Sequence, residues 1–151
     1  MESVRVRVQP EPFDTGREIA RLHEGAWGVG AVASFLGVVR DRNDDRSVGS
    51  MRLEHYPGMT ERAIERIVRD AGMRWELAAV TVIHRVGELS PGDPIVLVAA
   101  ASSHRGEAFS ACEFVMDYLK TKAPFWKKES TPAGGRWVET RVSDSEAAGR
   151  W

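Results

Sequence analysis

The stretch Ser102–Glu129 reads SSHRGEAFSACEFVMDYLKTKAPFWKKE. Its apolar residues recur at steps of three and four, which places them on one face of a helix: Ala108, Phe109, Cys112, Val115, Met116 and Leu119. Because Pro124 disfavours the helical conformation of the residue before it, the helix should end near Thr121 or Lys122. The segment after Pro124 can then fold back toward the end of the helix.

Lysine occurs in this stretch and nowhere else in the chain, at Lys120, Lys122, Lys127 and Lys128. The other 17 of the 21 basic residues are arginine. Arginine stays charged, whereas a lysine can lose its proton when it is partly buried or close to another cation. Lys120 lies at the edge of the apolar stripe, so its amine is expected at the rim of the core, with Lys127 returning toward it. This pattern favours proton transfer or amine chemistry; the alternative is a solvated charged segment.

The other end of the helix carries a different set of polar residues. Ser102 and Ser103 are candidate N-caps, and His104 and Arg105 lie where the helix dipole attracts anions. A continuous helix would separate Arg105 from Lys120 by about 22 Å, so one small ligand cannot contact both ends in one chain. We therefore favour a two-fold dimer in which the Arg105 end of one subunit approaches the Lys120 end of the other.

Length and composition are those of an ordinary globular protein. The chain has 151 residues, 28% of them charged, and a formal net charge of −1. We predict one domain, residues 1–151, with a polar segment at about 143–151. A near-zero charge gives no support to nucleic-acid binding, and neither a membrane span nor a signal peptide is evident, which predicts a cytoplasmic protein.

Strand and helix patterns alternate along the chain. Valines alternate with arginines at 4–8, Asp14 can cap a helix reaching Gly28, and AVASFLGVVR (31–40) is a buried strand. The following elements are strand 50–56, a helix from about Thr60 to Gly72, strands 77–86 and 95–101, the helix described above, and strand 136–142. This order predicts an α+β fold with a largely antiparallel sheet and about three helices.

Spacing alone gives little support for a functional role of the histidines and the cysteine. The four histidines show no ligand-like spacing, and one cysteine cannot form a thiolate metal site, so we predict no metal. His84 lies on the apolar side of its strand and is best interpreted as a hydrogen-bonded core histidine. Cys112 lies on the apolar helix face and is interpreted as inert core.

Together with Ser102–Glu129, three further motifs carry a family resemblance: LEHYPGM at 53–59, HRVGEL at 84–89 and RWVE at 136–139. The chain closely resembles the large, catalytic subunit of molybdopterin synthase from about Gly30 to Trp151, and more loosely before that. The resemblance implies an α/β hammerhead fold, a homodimer within a heterotetramer, and no cofactor on this subunit.

The resemblance also implies a sulfur-transfer reaction. Cyclic pyranopterin monophosphate would receive two dithiolene sulfurs, delivered as the thiocarboxylate at the Gly-Gly C-terminus of a small ubiquitin-like carrier. Lys120 is expected as the principal catalytic residue, acting as general acid or base or by transient contact with the carrier's acyl group, with Lys127 as the second. A thiocarboxylate is already a nucleophile, so no activated cysteine is required.

Substrate-binding residues follow from the same resemblance: Val38, Val39, Arg40, His104, Arg105, Lys128, Glu129 and Arg141. Arg141 is expected to reach across the dimer. Phe35 and Met116 are expected to form pocket wall, with plain core packing as the equal alternative. Without the resemblance, Arg40 would be interpreted as a surface residue at a strand end.

Three other interpretations stay open. Phe125 and Trp126 among the lysines could form a nucleic-acid stacking surface. Cys112 could carry a persulfide in a different class of sulfurtransferase. The chain could also bind the carrier without catalysing a reaction.

Overall fold

The computed structural model describes residues 1, 3–40, 42–43, 46–47, 50–131, 134–138 and 142–151. At residues 42–43, 46–47, 128–131, 134–138 and 142–144 the description covers the backbone alone. Within these ranges the chain forms two four-stranded sheets, a short hairpin and four helices.

The first sheet has the strand order β1 (Ser3–Gln9), β6 (Ala79–Arg85), β8 (Pro94–Ser102) and β2 (Ala31–Val38). β1 runs parallel to β6, and the other neighbours are antiparallel. β6 and β8 are central and almost fully buried, which explains why their sequences are apolar throughout rather than alternating.

The second sheet has the order β10 (Gly134–Val138), β9 (Phe125–Thr131), β5 (Ser50–His55) and β7 (Gly87–Leu89), all antiparallel. The strands β3 (Arg42–Asn43) and β4 (Arg46–Ser47) form a separate hairpin. The prediction of an α+β fold with mainly antiparallel pairing is confirmed. β7 and β9 were not predicted. β7 has only three residues, and β9 begins directly after Pro124 in a segment rich in charged residues.

Helices α2 (Met59–Arg74) and α3 (Arg105–Lys122) pack on one face of the first sheet. Their core positions interlock with the even-numbered residues of the central strands, Val80, Val82, Val96, Val98 and Ala100. The opposite face, with Ala79, Ala99 and Ala101, packs against Leu22 just after α1 (Thr15–Arg21). A second core, under β5 and β7, contains Val39, Met51, Leu53, Val86 and Leu89.

Helix ends differ from prediction in three places. Asp14 does cap α1, accepting from the Arg17 N–H at 3.0 Å, but the helix ends at Arg21 rather than near Gly28. α2 begins after Gly58 instead of being capped by Thr60, and it continues two residues beyond Gly72 to Arg74. α3 ends at Lys122, as Pro124 predicted.

The C-terminal segment adds a fourth helix, α4 (Val142–Ala148). After it, Trp151 packs edge-on against Trp75 and Phe114, and its indole N–H donates to Asp117 at 2.6 Å. Arg150 contacts the carboxylates of Glu113 and Asp117 at 2.8 and 3.0 Å. The tail is therefore attached to the outer face of α3.

Candidate active site

Lys120 lies in the last turn of α3 and is exposed. The helix ends two residues later because Ala123, preceding Pro124, takes an extended conformation with φ −81° and ψ 133°. Leu119 beside it is buried in the core, so the backbone at Lys120 is held firmly while the amine can reach solvent.

Lys127 lies in β9, directly opposite Leu53 of β5 and Val138 of β10. It is half-buried, in contrast to Lys120. Alternation along the strand places it on the same sheet face as Phe125, which packs against the second core. The chain therefore does turn back after Pro124, as the sequence predicted.

His84 in β6 contacts the start of the strand that carries Lys127. Its ring stacks on Phe125 with centroids 4.0 Å apart and planes at 21°. Burial lowers the pKa of His84 to about 4; the hydrogen bond with the Arg85 carbonyl opposes this, and electrostatic interactions with Lys120, His55 and Lys127 add to the lowering. Both lysines are thus close enough to His84 for their charges to act on it.

The end of β2 supplies the next group of predicted residues. Val39 is buried in the second core, and its N–H donates to the Asp93 carbonyl at 2.9 Å. Val38 and Arg40 on either side of it are exposed. Phe35 is 41% exposed on the same edge strand, whereas Met116 is 9% exposed and packs within the main core.

His104 and Arg105 lie at the opposite end of α3 and are both exposed. His104 is the N-cap residue and makes no side-chain capping bond, so the prediction of a serine cap was wrong. The Ser102 hydroxyl instead contacts the Glu76 carbonyl at 2.8 Å and the Glu107 carboxylate at 2.9 Å. Eighteen residues of continuous helix keep Arg105 about 22 Å from Lys120 within the chain.

Of three further predicted substrate-binding residues, two are described by their backbone alone and one is not described. The backbones of Lys128 and Glu129 pair with Arg52 and Met51 of β5. Arg141 lies outside the described residues.

Cys112 is 7% exposed, and its thiol contacts the Val98 carbonyl at 3.6 Å. Burial, with a smaller contribution from the Glu113 carboxylate, raises the pKa of this thiol to about 11. A thiol of that pKa is almost entirely protonated at neutral pH, which agrees with its interpretation as inert core.

Within the described ranges, no three of the His, Cys, Asp and Glu side chains are grouped as metal ligands would be. Nor does any helix in this part of the chain have the length and apolar character needed to cross a bilayer.

Sequence reasoning missed two residues that contact the turn between α3 and β9. His84 was interpreted as a core histidine; its hydrogen bond to Arg85 fits that, but its position beside both lysines was not foreseen. Thr60, predicted as a cap, is fully buried and donates its hydroxyl proton to the Pro124 carbonyl at 3.2 Å. The sequence features that could have indicated these two residues were the motif at 53–59, which ends just before Thr60, and the motif at 84–89, which begins with His84.

Comparison with known proteins gives concordant matches. The family model described as "MoaE protein" matches residues 8–122. The chain is 62% identical over 146 residues to the molybdopterin synthase catalytic subunit of Ralstonia nicotianae, covering 97% of this chain and 83% of that one. It is 55% identical to the subunit of the same name from Escherichia coli over 151 residues and the full length of both.

Among solved structures, the molybdopterin biosynthesis MoaE protein from Burkholderia ambifaria superposes with a TM-score of 0.84 at 53% identity, covering 98% of this chain and 97% of that one. The matches include the N-terminal residues, where the resemblance had been weaker. The family model and the full-length similarities show that this chain belongs to the MoaE protein family.

Proposed function

We propose that this chain is the sulfur-transferring subunit of a molybdopterin synthase. It converts cyclic pyranopterin monophosphate to molybdopterin with sulfur from the C-terminal thiocarboxylate of a small ubiquitin-like carrier. The observation that supports this best is the position of Lys120 at the end of α3 and of Lys127 in the next strand, β9, with the charges of both lysines acting on the uncharged His84.

The chemistry required of the protein is modest, because the thiocarboxylate sulfur is itself the nucleophile. Attack on a ring carbon and later breakdown of the acyl intermediate both need proton transfer and stabilisation of developing negative charge. Two lysine side chains that reach the substrate can supply both functions. Cys112 is buried and protonated, so it is not required as a sulfur carrier.

Recognition of the substrate phosphate needs cations in addition to the catalytic lysines. Arg40 is exposed at the end of β2, while His104 and Arg105 lie at the far end of α3. In our proposal a second copy of the chain supplies His104, Arg105 and Arg141 to the site. No metal or cofactor is assigned to this subunit.

The edge of the first sheet supports such pairing of two copies. β2 is an edge strand that exposes Phe35, Leu36 and Val38 by 41–45%, and Phe109 on α3 is 64% exposed. An exposed apolar edge strand is typical of a surface that is covered in the assembly. We propose that two copies of this chain form a homodimer and that each copy binds one carrier. The resulting assembly is a cytoplasmic heterotetramer.

The test is product formation from purified thiocarboxylated carrier and cyclic pyranopterin monophosphate. Lys120→Ala should lower the rate by about 100-fold or more, as expected when a general acid or base is removed. Lys122→Ala is the matched control, since Lys122 is exposed in the same helical turn. Equal rates for wild type and both variants would contradict the lysine mechanism, and a wild type that binds carrier without forming product would contradict the enzyme assignment.

A further inference from the structure

The turn between the two lysines consists of Lys122, Ala123, Pro124 and Phe125. α3 ends at Lys122 and β9 begins at Phe125, whose N–H donates to the Ala123 carbonyl at 2.9 Å. Whatever holds this turn also fixes the end of the helix carrying Lys120 relative to the strand carrying Lys127. We call residues 122–125 the lysine joint.

Thr60 holds the lysine joint from one side. Its side chain is fully buried, and its hydroxyl makes two hydrogen bonds. It donates to the Pro124 carbonyl at 3.2 Å and accepts from the Tyr56 N–H at 3.0 Å. The Tyr56 ring in turn contacts the Trp126 ring at a centroid distance of 4.7 Å. The hydroxyl accepts from one backbone group and donates to another at once, which the methyl group of a valine could not do.

His84 holds the lysine joint from the other side, by stacking on Phe125. Its Nδ1 lies 2.9 Å from the Arg85 carbonyl. Since a carbonyl can only accept, Nδ1 carries the proton in the neutral ring, and Nε2 is left as an acceptor. The charged or titratable groups acting on this ring are Lys120 from α3, Lys127 from β9 and His55 from β5.

The neutral state of His84 matters for the site. A protonated imidazole here would add a third cation beside two lysines and would repel both. Burial lowers the pKa of His84 to about 4, so the ring stays uncharged throughout the physiological range. The imidazole can therefore pack against the lysine joint without driving the ammonium groups apart.

We propose that Thr60 and His84 are positioning residues that clamp the lysine joint from its two sides and thereby set the separation of Lys120 and Lys127. Neither residue is assigned contact with the substrate. The geometric part of the proposal stands on the contacts above, and only its catalytic consequence rests on the proposed function.

The first experiment measures geometry without activity. A bifunctional amine reagent with a short spacer is applied to the full-length protein, and the Lys120–Lys127 cross-link is quantified by peptide mass spectrometry. Single labelling of the exposed Lys122 is the internal reference. Thr60→Val, which removes the hydroxyl at nearly constant volume, should lower the cross-link yield by about fivefold or more, whereas Thr60→Ser should keep it within about twofold. An unchanged yield in Thr60→Val overturns the proposal, as does an equal loss in Thr60→Ser.

His84 provides a second and independent pair of variants. His84→Phe keeps a ring to stack on Phe125 and should retain the cross-link, whereas His84→Leu should reduce it severalfold. If Thr60→Val does not fold, this pair decides the question: equal yields for Phe and Leu at position 84 overturn the clamp.

The second experiment measures turnover. Thr60→Val should lower kcat by about tenfold or more, because displacing a catalytic group by about 1 Å can cost that much. KM and carrier binding should be unchanged, and Thr60→Ser should restore kcat. A rise in KM with kcat unchanged would overturn the positioning role. If wild type forms no product while the cross-link still depends on Thr60, the proposed function fails and the clamp stands.

Discussion

Cys112 and His84 show at the scale of single residues how burial decides chemistry. Cys112 lies in α3 against the first sheet and His84 lies in β6 of that sheet, and burial shifts the pKa of each toward the uncharged form: upward for the thiol and downward for the imidazole. Burial thus disfavours the reactive thiolate form of Cys112 and keeps His84 neutral near two lysines.

Replacing Cys112 by alanine should leave sulfur transfer intact. The thiol is 7% exposed and protonated, so the reaction loses no nucleophile, while the small cavity should lower the free energy of unfolding by about 1 kcal/mol. Product formation at a temperature where both proteins are folded checks this. Complete loss of turnover in a folded Cys112→Ala would instead support a persulfide mechanism.

The lowered pKa of His84 predicts acid sensitivity. The unfolded state binds a proton near pH 6.5 and the folded state only near pH 4, so the unfolded state binds more protons between these values. The contribution of His84 to the free energy of unfolding is fully present above pH 6.5 and decreases as the pH drops toward 4.

Denaturant titrations at pH 7 and pH 4.5 measure this contribution. Wild type should lose roughly 2–3 kcal/mol more than His84→Phe between the two pH values. The exposed His23 gives the matched control, His23→Gln, which should follow wild type. The same acid loss in wild type and His84→Phe would show that other groups carry the effect.

At the scale of elements, α3 carries one candidate site at each of its two ends. Its C-terminal end carries Lys120, and its N-terminal end is held by the loop before β2. Gly30 donates its N–H to the Ser102 carbonyl at 2.9 Å, and the Ser103 hydroxyl donates to the Gly28 carbonyl at 3.0 Å. The backbone of this loop therefore positions His104 and Arg105.

Gly30→Ala tests that contact. A methyl group at Gly30 would lie 2.2 Å from the Ser103 carbonyl oxygen, so the backbone must shift. We expect a loss of about 1–3 kcal/mol in the free energy of unfolding, together with weaker substrate binding from the displaced Arg105 end.

Gly106→Ala is the matched control within α3, because nothing lies within 4 Å of an added methyl group there. Alanine should stabilise this helix by up to about 1 kcal/mol. Thermal unfolding compares the two variants. A Gly30→Ala protein as stable as wild type would show that the loop does not restrain the helix.

At the scale of the whole molecule, the distance along α3 favours a site built from two chains. Mixing two inactive variants, Lys120→Ala and Arg105→Ala, should then recover activity, since the mixed dimer contains one site with both residues intact. With random pairing, about a quarter of wild-type turnover is expected if each site acts independently.

The control for this experiment is each variant mixed with itself under the same exchange conditions. Subunit exchange is confirmed by mass spectrometry. If turnover in the mixture is then no higher than in the separate variants, the active site does not combine Lys120 of one chain with Arg105 of the other.

The sequence by itself determined the fold class, the course of α3 and the return of the chain after Pro124. These depend on local patterns, namely the spacing of apolar residues and the conformational limits that proline imposes. The motifs at 53–59, 84–89 and 102–129 likewise indicated the family. The N-cap of α3 and the length of α1 were predicted wrongly, and the strands β7 and β9 were not predicted, because each is decided by contacts between distant segments.

Only the tertiary structure decided what surrounds the lysines. Thr60 and Pro124 are 64 residues apart in the chain, and His84 meets Phe125 across two sheets. A threonine before a helix reads locally as a cap, and a histidine on an apolar strand face reads as core. Their position beside Lys120 and Lys127 follows from the packing of β5, β6 and β9, which no local pattern encodes, because the free energy that selects it comes from burial of non-local surfaces.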